Sequence, residues 1–464
     1  VQNHLNVSIL NESFSSISGD TNALKKIYDY LKVERPGAYF EPAVKAGFKS
    51  PFEYYSSFAS KEKNELIVMN GHLSLLKNFG VNISAEKDHS SIIKKEKIDE
   101  FLLDVKQQLP FEPRDYQEIA FKESLLAGKQ INKMCTSSGK SLTISLIAEF
   151  FRREGKKGLL LVPNINLLTQ FKNDIKDYNL NDLYNDTHVI GGGSTDKHFD
   201  CTLTISTWQS MQRWHTELNS LDYVICDELH RFASQETSAI VKNTTSCKYK
   251  WGFTGTLPED PCMKMVLFGL FGLPKTYITS SELIERGLAT PIEINAITFK
   301  YSNSDKALFQ GCGKTYPKQL QFLKEHETRN KFIINLMKRL KDRGNTLTLF
   351  QHTQHGKDLF TGIMSVLFPD VQIENKNITG KKSFEFQEQY GVYFLNGEDD
   401  AKTRELTRKI LEEDYFNITL ENDQVISLNG NTEVKLIDGS SKLVKELTED
   451  DEIDDEYIHT ITNK

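Results

Sequence analysis

The chain has 464 residues, of which 38% are hydrophobic and 26% charged, an ordinary composition for a water-soluble protein of roughly two to four domains. It contains no run of eighteen apolar residues and does not open on a basic-then-apolar leader, so neither membrane insertion nor export is expected and a cytoplasmic setting is. The net charge of −7 is concentrated in the tail: residues 412–464 hold fifteen Asp and Glu against four Lys, which leaves residues 1–411 at +4, a balance that permits contact with phosphates.

Residues 1–95 mix short apolar runs such as ELIVM (Glu65–Met69) with the aromatic-rich stretch GAYFEPAVKAGFKSPFEYYSSF, and a small α+β domain is expected there. A start on Val1 rather than Met is expected of a fragment. The lysine-rich stretch 86–100 reads as a linker or a solvated helix. From about Leu102, short apolar segments alternate with amphipathic helical ones: KGLLLVP (Lys157–Pro163), CTLTIST (Cys201–Thr207), LDYVICDE (Leu221–Glu228) and KYKWGFTGT (Lys248–Thr256). Buried parallel strands have this texture, and the spacing leaves room for crossover helices. A second α/β block follows, with a helix at NKFIINLMKRLKDRG and strands at Asn345–His352 and Gly391–Gly397. Cys135, Cys201, Cys226, Cys247, Cys262 and Cys312 stand singly without a C-x-x-C pair, against a zinc site or disulfide framework and in favour of small buried hydrophobes.

Three stretches carry chemistry. MCTSSGKS (Met134–Ser141) lies between a strand-like segment and a helix. Backbone N–H groups at a helix N-terminus favour phosphate, Lys140 would neutralise its charge, and the Ser141 hydroxyl would hold Mg²⁺. The full phosphate-loop pattern has a glycine five residues before Gly139, where this chain has Met134, so the string alone also reads as a polar turn. In YVICDELH, Asp227 and Glu228 end a buried strand; adjacent carboxylates there suit a metal shell and the activation of water, or else a strand running into a solvated loop. The third is FTGT (Phe253–Thr256), by itself a turn after a strand. Lys140, Asp227 and Thr254 close strands of one α/β domain, and the strand ends of an open parallel sheet converge on one crevice.

Taken in order, MCTSSGKS, VPNINLLTQ, STWQS, CDELH, GFTGT and FQHTQHG resemble motifs I, Ia, Ic, II, III and IV of superfamily 2 helicases, and EPRDYQEIA resembles their adenine-recognising segment. The resemblance covers residues 1 to about 411, more weakly over the first hundred. It implies a RecA-like ATP-binding domain at 96–280, a second RecA-like domain at 281–414, and a small DNA-binding domain at 1–95. Arg114, Tyr116 and Gln117 would face the base of ATP; Thr136, Ser137, Ser138, Gly139, Lys140 and Ser141 its phosphates; Ser141 and Asp227 the Mg²⁺. Lys140, Asp227, Glu228 and His230 would serve catalysis, and Thr254, Gly255 and Thr256 would couple nucleotide state to DNA grip. Pro163, Asn164, Gly192, Gly193, Thr207, Trp208, Gln209, His352 and His355 would touch nucleic acid, with backbone N–H, amide and hydroxyl groups suited to phosphate. A packing role for Trp208, a flexible turn for the glycine triplet and a surface or capping role for the histidines are the competing readings. Gly397, Glu398 and Arg404 match the following element, or form a helix-terminus pair.

The pattern breaks after Asp414, where motifs V and VI, the latter with its arginine finger, are not found. Residues 415–464 read instead as an acidic β-rich tail, either a hairpin extension with a turn at Asp438-Gly439 or a segment resembling the hedgehog/intein fold. The expectation is an α/β protein: two RecA-like parallel-sheet lobes, the second incomplete, preceded by a small α+β domain and followed by the tail. The resemblance implies the function of an ATP-dependent helicase on branched or forked DNA in phage recombination, repair and replication. The alternatives are an interrupted helicase that binds ATP and DNA without unwinding, an RNA helicase of the same superfamily, and a phage packaging ATPase, which the second-lobe motif disfavours.

Overall fold

The computed structural model describes residues 5–59, 63–79, 93–191, 198–211, 217–311, 315–341, 344–379 and 383–397, short pieces between 399 and 410, and four strands between 415 and 443. The chain divides into two compact units, Val1–Glu293 and Ile294–Lys464.

The first unit opens with β1 (Asn6–Ile9), β2 (Phe14–Ser18), α1 (Thr21–Tyr30), β3 (Lys32–Glu34), α2 (Pro42–Lys45), β4 (Phe52–Tyr54), β5 (Ser56–Phe58) and β6 (Glu65–Met69). Four of these strands form an antiparallel sheet in the order β1-β2-β6-β5. Asp20 caps α1 by accepting from the Ala23 N–H at 2.9 Å, and the helix buries Ala23, Leu24 and Ile27.

There follow α3 (Lys95–Val105), α4 (Asp115–Ala127), β7 (Lys129–Met134), α5 (Lys140–Arg153), β8 (Gly158–Val162), α6 (Ile165–Asp177), α7 (Asn181–Asn185) and β9 (Thr187–Ile190). Then come β10 (Leu203–Thr207), α8 (Trp208–Met211), β11 (Tyr223–Cys226), α9 (Gln235–Asn243), β12 (Tyr249–Thr254), α10 (Pro261–Phe271), β13 (Pro274–Ile278) and α11 (Ser280–Glu285). The seven strands β7 to β13 make one parallel sheet in the order β13-β7-β12-β11-β8-β10-β9. Because every pair is parallel, all the loops that follow these strands leave from the same edge. Strands β8, β10, β11 and β12 are buried along their whole length; β8 and β11 are accordingly continuous apolar runs, while β10 and β12 also bury polar side chains, Lys250 among them. Helix α5 buries every residue from Leu142 to Phe151, and each large apolar side chain so placed contributes ~1.5–3 kcal/mol.

The first eighty residues share a core with this sheet. Ile17, Leu24, Leu66 and Val68 belong to one apolar cluster with Ile131, Leu159, Leu161 and Val224 of the sheet and Leu267 and Phe271 of α10. Gly71 approaches α10 so closely that a Cβ there would lie 2.0 Å from the Phe268 carbonyl oxygen. Polar ties reinforce the contact: the Tyr55 hydroxyl donates to the Cys262 carbonyl at 2.8 Å, His72 Nε2 to the Met265 carbonyl at 2.8 Å, and Lys129 pairs with Glu12 at 2.7 Å. Cys135, Cys226, Cys247 and Cys262 are buried, Cys201 is half-buried, and all five are free.

In the second unit the described residues form α12 (Asn303–Gly311), α13 (Tyr316–Glu325), α14 (Glu327–Leu340), α15 (Thr353–Leu367), α16 (Asn375–Ile378) and α17 (Ser383–Tyr390). A small core joins Phe360, Met364, Ile378 and Phe394. The strands expected at 345–352 and 391–397 do not form among the described residues, and Leu347 and Leu349 are 69% and 85% exposed. A parallel strand depends on neighbours in its sheet, and no described residue beyond Asp414 pairs with either segment. The chain there turns instead into two antiparallel pairs, β14 (Tyr415–Thr419) with β15 (Val425–Asn429), and β16 (Glu433–Lys435) with β17 (Ser441–Leu443). Among its described residues up to Asp414, the second lobe holds helices without a sheet, and is incomplete in that sense. Among the described residues no helix is long and apolar enough to cross a membrane.

Candidate active site

The sheet order sets β7, β12 and β11 side by side, so the loops after Met134, Thr254 and Cys226 open next to one another. After β7 the chain reverses sharply. Ser137 has φ +64° and Gly139 φ +76°, both left-handed, before α5 begins at Lys140. Gly139 has a second constraint: a Cβ there would meet Gln117 Nε2 at 2.3 Å. The turn is fixed from within, as Ser138, fully buried, donates its hydroxyl to the Cys135 carbonyl at 2.6 Å. Thr136 and Ser137 are exposed, while Gly139, Lys140 and Ser141 are half-buried at the mouth of the helix. The first N–H groups of α5 have no partner within the helix and carry the positive end of its dipole.

The upstream segment is clamped to this loop. Gln117 accepts from the Arg114 N–H at 2.8 Å and donates Nε2 to the Ser138 carbonyl at 2.8 Å; the Tyr116 hydroxyl donates to the same carbonyl at 3.1 Å, and Arg114 Nη1 to the Tyr116 hydroxyl at 2.9 Å. Arg114, Tyr116 and Gln117 thus form one hydrogen-bonded group with the phosphate-loop candidate, with Tyr116 and Gln117 buried.

After β11, Glu228 takes a left-handed φ of +48°, a strain of ~1–2 kcal/mol for a non-glycine residue, and strain of this kind gathers where side chains must be aimed. The turn brings Glu228 Oε1 to 3.8 Å from Lys140 Nζ and Glu228 Oε2 to 3.5 Å from His230 Nδ1. The Thr254 hydroxyl donates to the Thr256 carbonyl at 2.6 Å and so accepts from His230 Nδ1 at 3.1 Å. Gly255 passes the other loop closely, a Cβ there lying 3.5 Å from the Thr136 nitrogen. Asp227 Oδ1 is buried and accepts no hydrogen bond. Burial, then the neighbouring Glu228 carboxylate, pushes the Asp227 pKa up to about 6 against the pull of Lys140. An unpartnered, desolvated carboxylate oxygen fits a hard divalent cation, which takes oxygen ligands. The donors present therefore suit Mg²⁺ with a phosphate ligand.

Two residues that the sequence reading missed also reach this loop. Asp174 and Tyr178, from α6 and its C-terminal end, both hydrogen-bond to the Ser141 side chain, and burial raises the pKa of each. They stand one helical turn apart beyond VPN, and no motif marks them.

The other candidates of the first unit lie further along the sheet. Pro163 and Asn164 follow β8, Thr207 ends β10, and Trp208 and Gln209 follow it, on the far side of β11 from the loop after β7. Asn164 caps α6, accepting from the Leu167 N–H at 3.1 Å; Thr207 is buried against Ser210 at 3.1 Å; Gln209 is exposed. Trp208 is half-buried on the apolar cluster, which supports its packing reading. Gly192 and Gly193 lie outside the described residues. In the second unit, His352 is the N-cap residue of α15 and His355 Nε2 bonds to Asn330 Oδ1 at 3.1 Å, with burial lowering its pKa. Arg404 donates to the carbonyls of Gly397 and Asp399, at 3.0 Å and 2.6 Å, while Glu398 lies outside the described residues.

The motif order resembles that of superfamily 2 helicases, and residues 110–259 match the family described as Type III restriction enzyme, res subunit. Among individual proteins the chain resembles the ATP-dependent DNA helicase UvsW of enterobacteria phage T4, with 30% identity over 307 residues, 65% of this chain and 56% of UvsW. It is 29% identical over 204 residues to the DNA 3'-5' translocase XPB2 of Sulfurisphaera tokodaii, 44% of each chain. The matched span is thus about half the length of each of these relatives. A crystal structure of T4 UvsW superposes with a TM-score of 0.51 at 24% identity, covering 88% of this chain and 78% of that one; at this identity the likeness shows the fold.

Proposed function

We propose that the chain is an ATP-dependent DNA helicase or translocase of the UvsW kind, acting on branched DNA in phage recombination, repair and replication. The observation that carries this reading is the meeting of Lys140, Asp227, Glu228, His230 and Thr254 at one edge of a parallel sheet, joined by contacts of 3.8 Å or less between Lys140, Glu228, His230 and Thr254. In this reading Lys140 and the N–H groups of the 136–141 loop hold the phosphates of ATP, and Arg114, Tyr116 and Gln117 border its base. Ser141 and Asp227 hold Mg²⁺, which when bound screens phosphate charge. Glu228 orients and deprotonates the attacking water. His230 senses Glu228 on one side and Thr254 on the other, a path from the hydrolytic residue to the loop after β12. Residues after β8 and β10 bind the DNA backbone, and the first eighty residues engage the duplex or junction.

The test is steady-state ATPase of the chain with and without forked DNA, beside Lys140→Ala. DNA-stimulated turnover lost in the variant supports the reading, and no nucleotide-dependent behaviour in either protein would sink it. Matched RNA forks complete the test, since a clear preference for them would replace DNA as the substrate.

A second reading is favoured by the exposed, unpaired Leu347 and Leu349 segment and by the unfound motifs V and VI. It is an interrupted helicase that binds ATP and DNA without turnover, because an arginine finger contributes ~10³–10⁵ in rate. Binding without hydrolysis in the same experiment would select it.

A further inference from the structure

Between β3 and β4 the chain makes an excursion, residues 35–51, built to hold aromatic rings in water. The Arg35 N–H donates to the Pro51 carbonyl at 2.8 Å and the Phe48 N–H to the Ala43 carbonyl at 2.8 Å. Arg35 Nη1 reaches Glu41 Oε1 and Nη2 the Ser50 carbonyl, both at 2.8 Å, while Lys49 pairs with Glu41 at 3.2 Å. Ala38 is fully buried beneath. On this cross-tied frame Tyr39 is 53% exposed, Phe40 82% and Phe48 89%. A hydrogen-bonded loop that fixes two phenylalanines almost wholly in solvent gives up the stabilisation their burial would supply, and such clustered exposure marks a binding surface.

The chemistry around the rings selects the partner. The excursion carries Arg35, Lys45 and Lys49 against the single carboxylate Glu41, which two of those cations already neutralise. The Lys45 ammonium lies 6.0 Å from the Phe40 ring centre, and at the base Lys32 lies 4.6 Å from that of Phe52. Exposed flat faces set beside ammonium groups match unpaired bases strung on phosphates, since every base offers a face to stack on and every linkage a negative charge.

We propose that residues 35–51 are a stacking platform for unpaired bases, with Phe40 and Phe48 as the contact rings and Lys45 and Lys49 holding the adjoining phosphates. The proposal rests on the nucleic-acid reading above and adds a site to it. It is tested with the full chain and its Phe40→Ala/Phe48→Ala variant, using a thymine-rich single strand that carries one 2-aminopurine, and a fully paired duplex as control. Stacking contributes enough per base that affinity for the single strand should fall about tenfold or more for each ring lost. The 2-aminopurine quenching seen with the parent should vanish, affinity for the paired duplex should fall less than that for the single strand, and DNA-free ATPase should be unchanged. Phe40→Trp/Phe48→Trp should restore both affinity and quenching. Unchanged single-strand affinity and quenching in the alanine variant would overturn the platform and leave the helicase reading standing. A parent that binds no nucleic acid would overturn both. Self-association abolished by the alanine pair, with nucleic-acid binding intact, would assign the rings to a protein contact and refute the proposal.

Discussion

Lys250 is a cation in the wrong place for one, and that makes its effect on stability calculable. It sits on β12, 1% exposed, donating to Ser13 Oγ at 2.8 Å and the Val241 carbonyl at 3.3 Å. Burial, with repulsion from Lys129 second, lowers its pKa from 10.5 to about 7, against weaker support from Cys247, Glu12 and Cys226. Between these two values the unfolded chain holds a proton that the folded chain has lost, so stability rises with pH across the window. At a little over ~1 kcal/mol per pH unit, the folded state carries a penalty of ~5 kcal/mol at and below about pH 7, gone above about pH 10.5. Lys250→Met removes the titration and forfeits two hydrogen bonds, ~3 kcal/mol together. Ser13 keeps a partner, since its hydroxyl donates to the Lys242 carbonyl at 3.1 Å. The variant should therefore be the more stable by ~2 kcal/mol at about pH 7 and the less stable by ~2 kcal/mol at about pH 10. Urea denaturation of both proteins, followed by tryptophan fluorescence at steps across that range, reads the difference directly. A difference that stays constant with pH would refute the argument.

Other expectations follow from single contacts. Gly71→Ala drives a Cβ into the Phe268 carbonyl at 2.0 Å and should cost ~1–3 kcal/mol, read as a lowered melting temperature and earlier proteolysis within the first eighty residues. Gly139→Ala meets both a left-handed φ and Gln117 Nε2 at 2.3 Å; affinity for a fluorescent ATP analogue should drop about tenfold or more, ~1–2 kcal/mol of backbone strain alone accounting for that. Thr254→Val breaks the links to His230 and the Thr256 carbonyl; DNA stimulation of ATPase should fall at least several-fold while ATP affinity holds, and a variant stimulated like the parent would deny Thr254 its coupling role.

Strands β8 and β11 were legible because burial on both faces writes itself as an unbroken apolar run, GLLLV and YVIC. LDYVICDE and KYKWGFTGT read as strands and contain β11 and β12. Strand β7 is the instructive case. Its sequence KQINKM looks polar, yet it lies inside the sheet because Gln130 bonds to Asn132 at 2.7 Å and to the Tyr277 hydroxyl, and Ser124 to Asn132 at 3.1 Å; only the partners reveal why it can be buried. The grouping of Lys140, Glu228 and His230 was foreseeable from strand ends and topology. Asp174 and Tyr178 were not, since helix packing rather than sequence proximity brings them to Ser141. In the second unit, Asn345–His352 has strand propensity without a strand, because propensity cannot stand in for the neighbours that a sheet requires.

The shared core behind the sheet also bears on how such a protein can change over evolutionary time. Ile17, Leu24 and Val68 pack into the same cluster as Leu159 and Val224, and Gly71 accepts no side chain against α10. A gene exchange with its breakpoint near residue 95 would join two halves shaped for different partners, however well each matched its own relatives. The leading segment and the back of the sheet should therefore be inherited as one block, and chimaeras that respect this joint should fold where those cut across it fail.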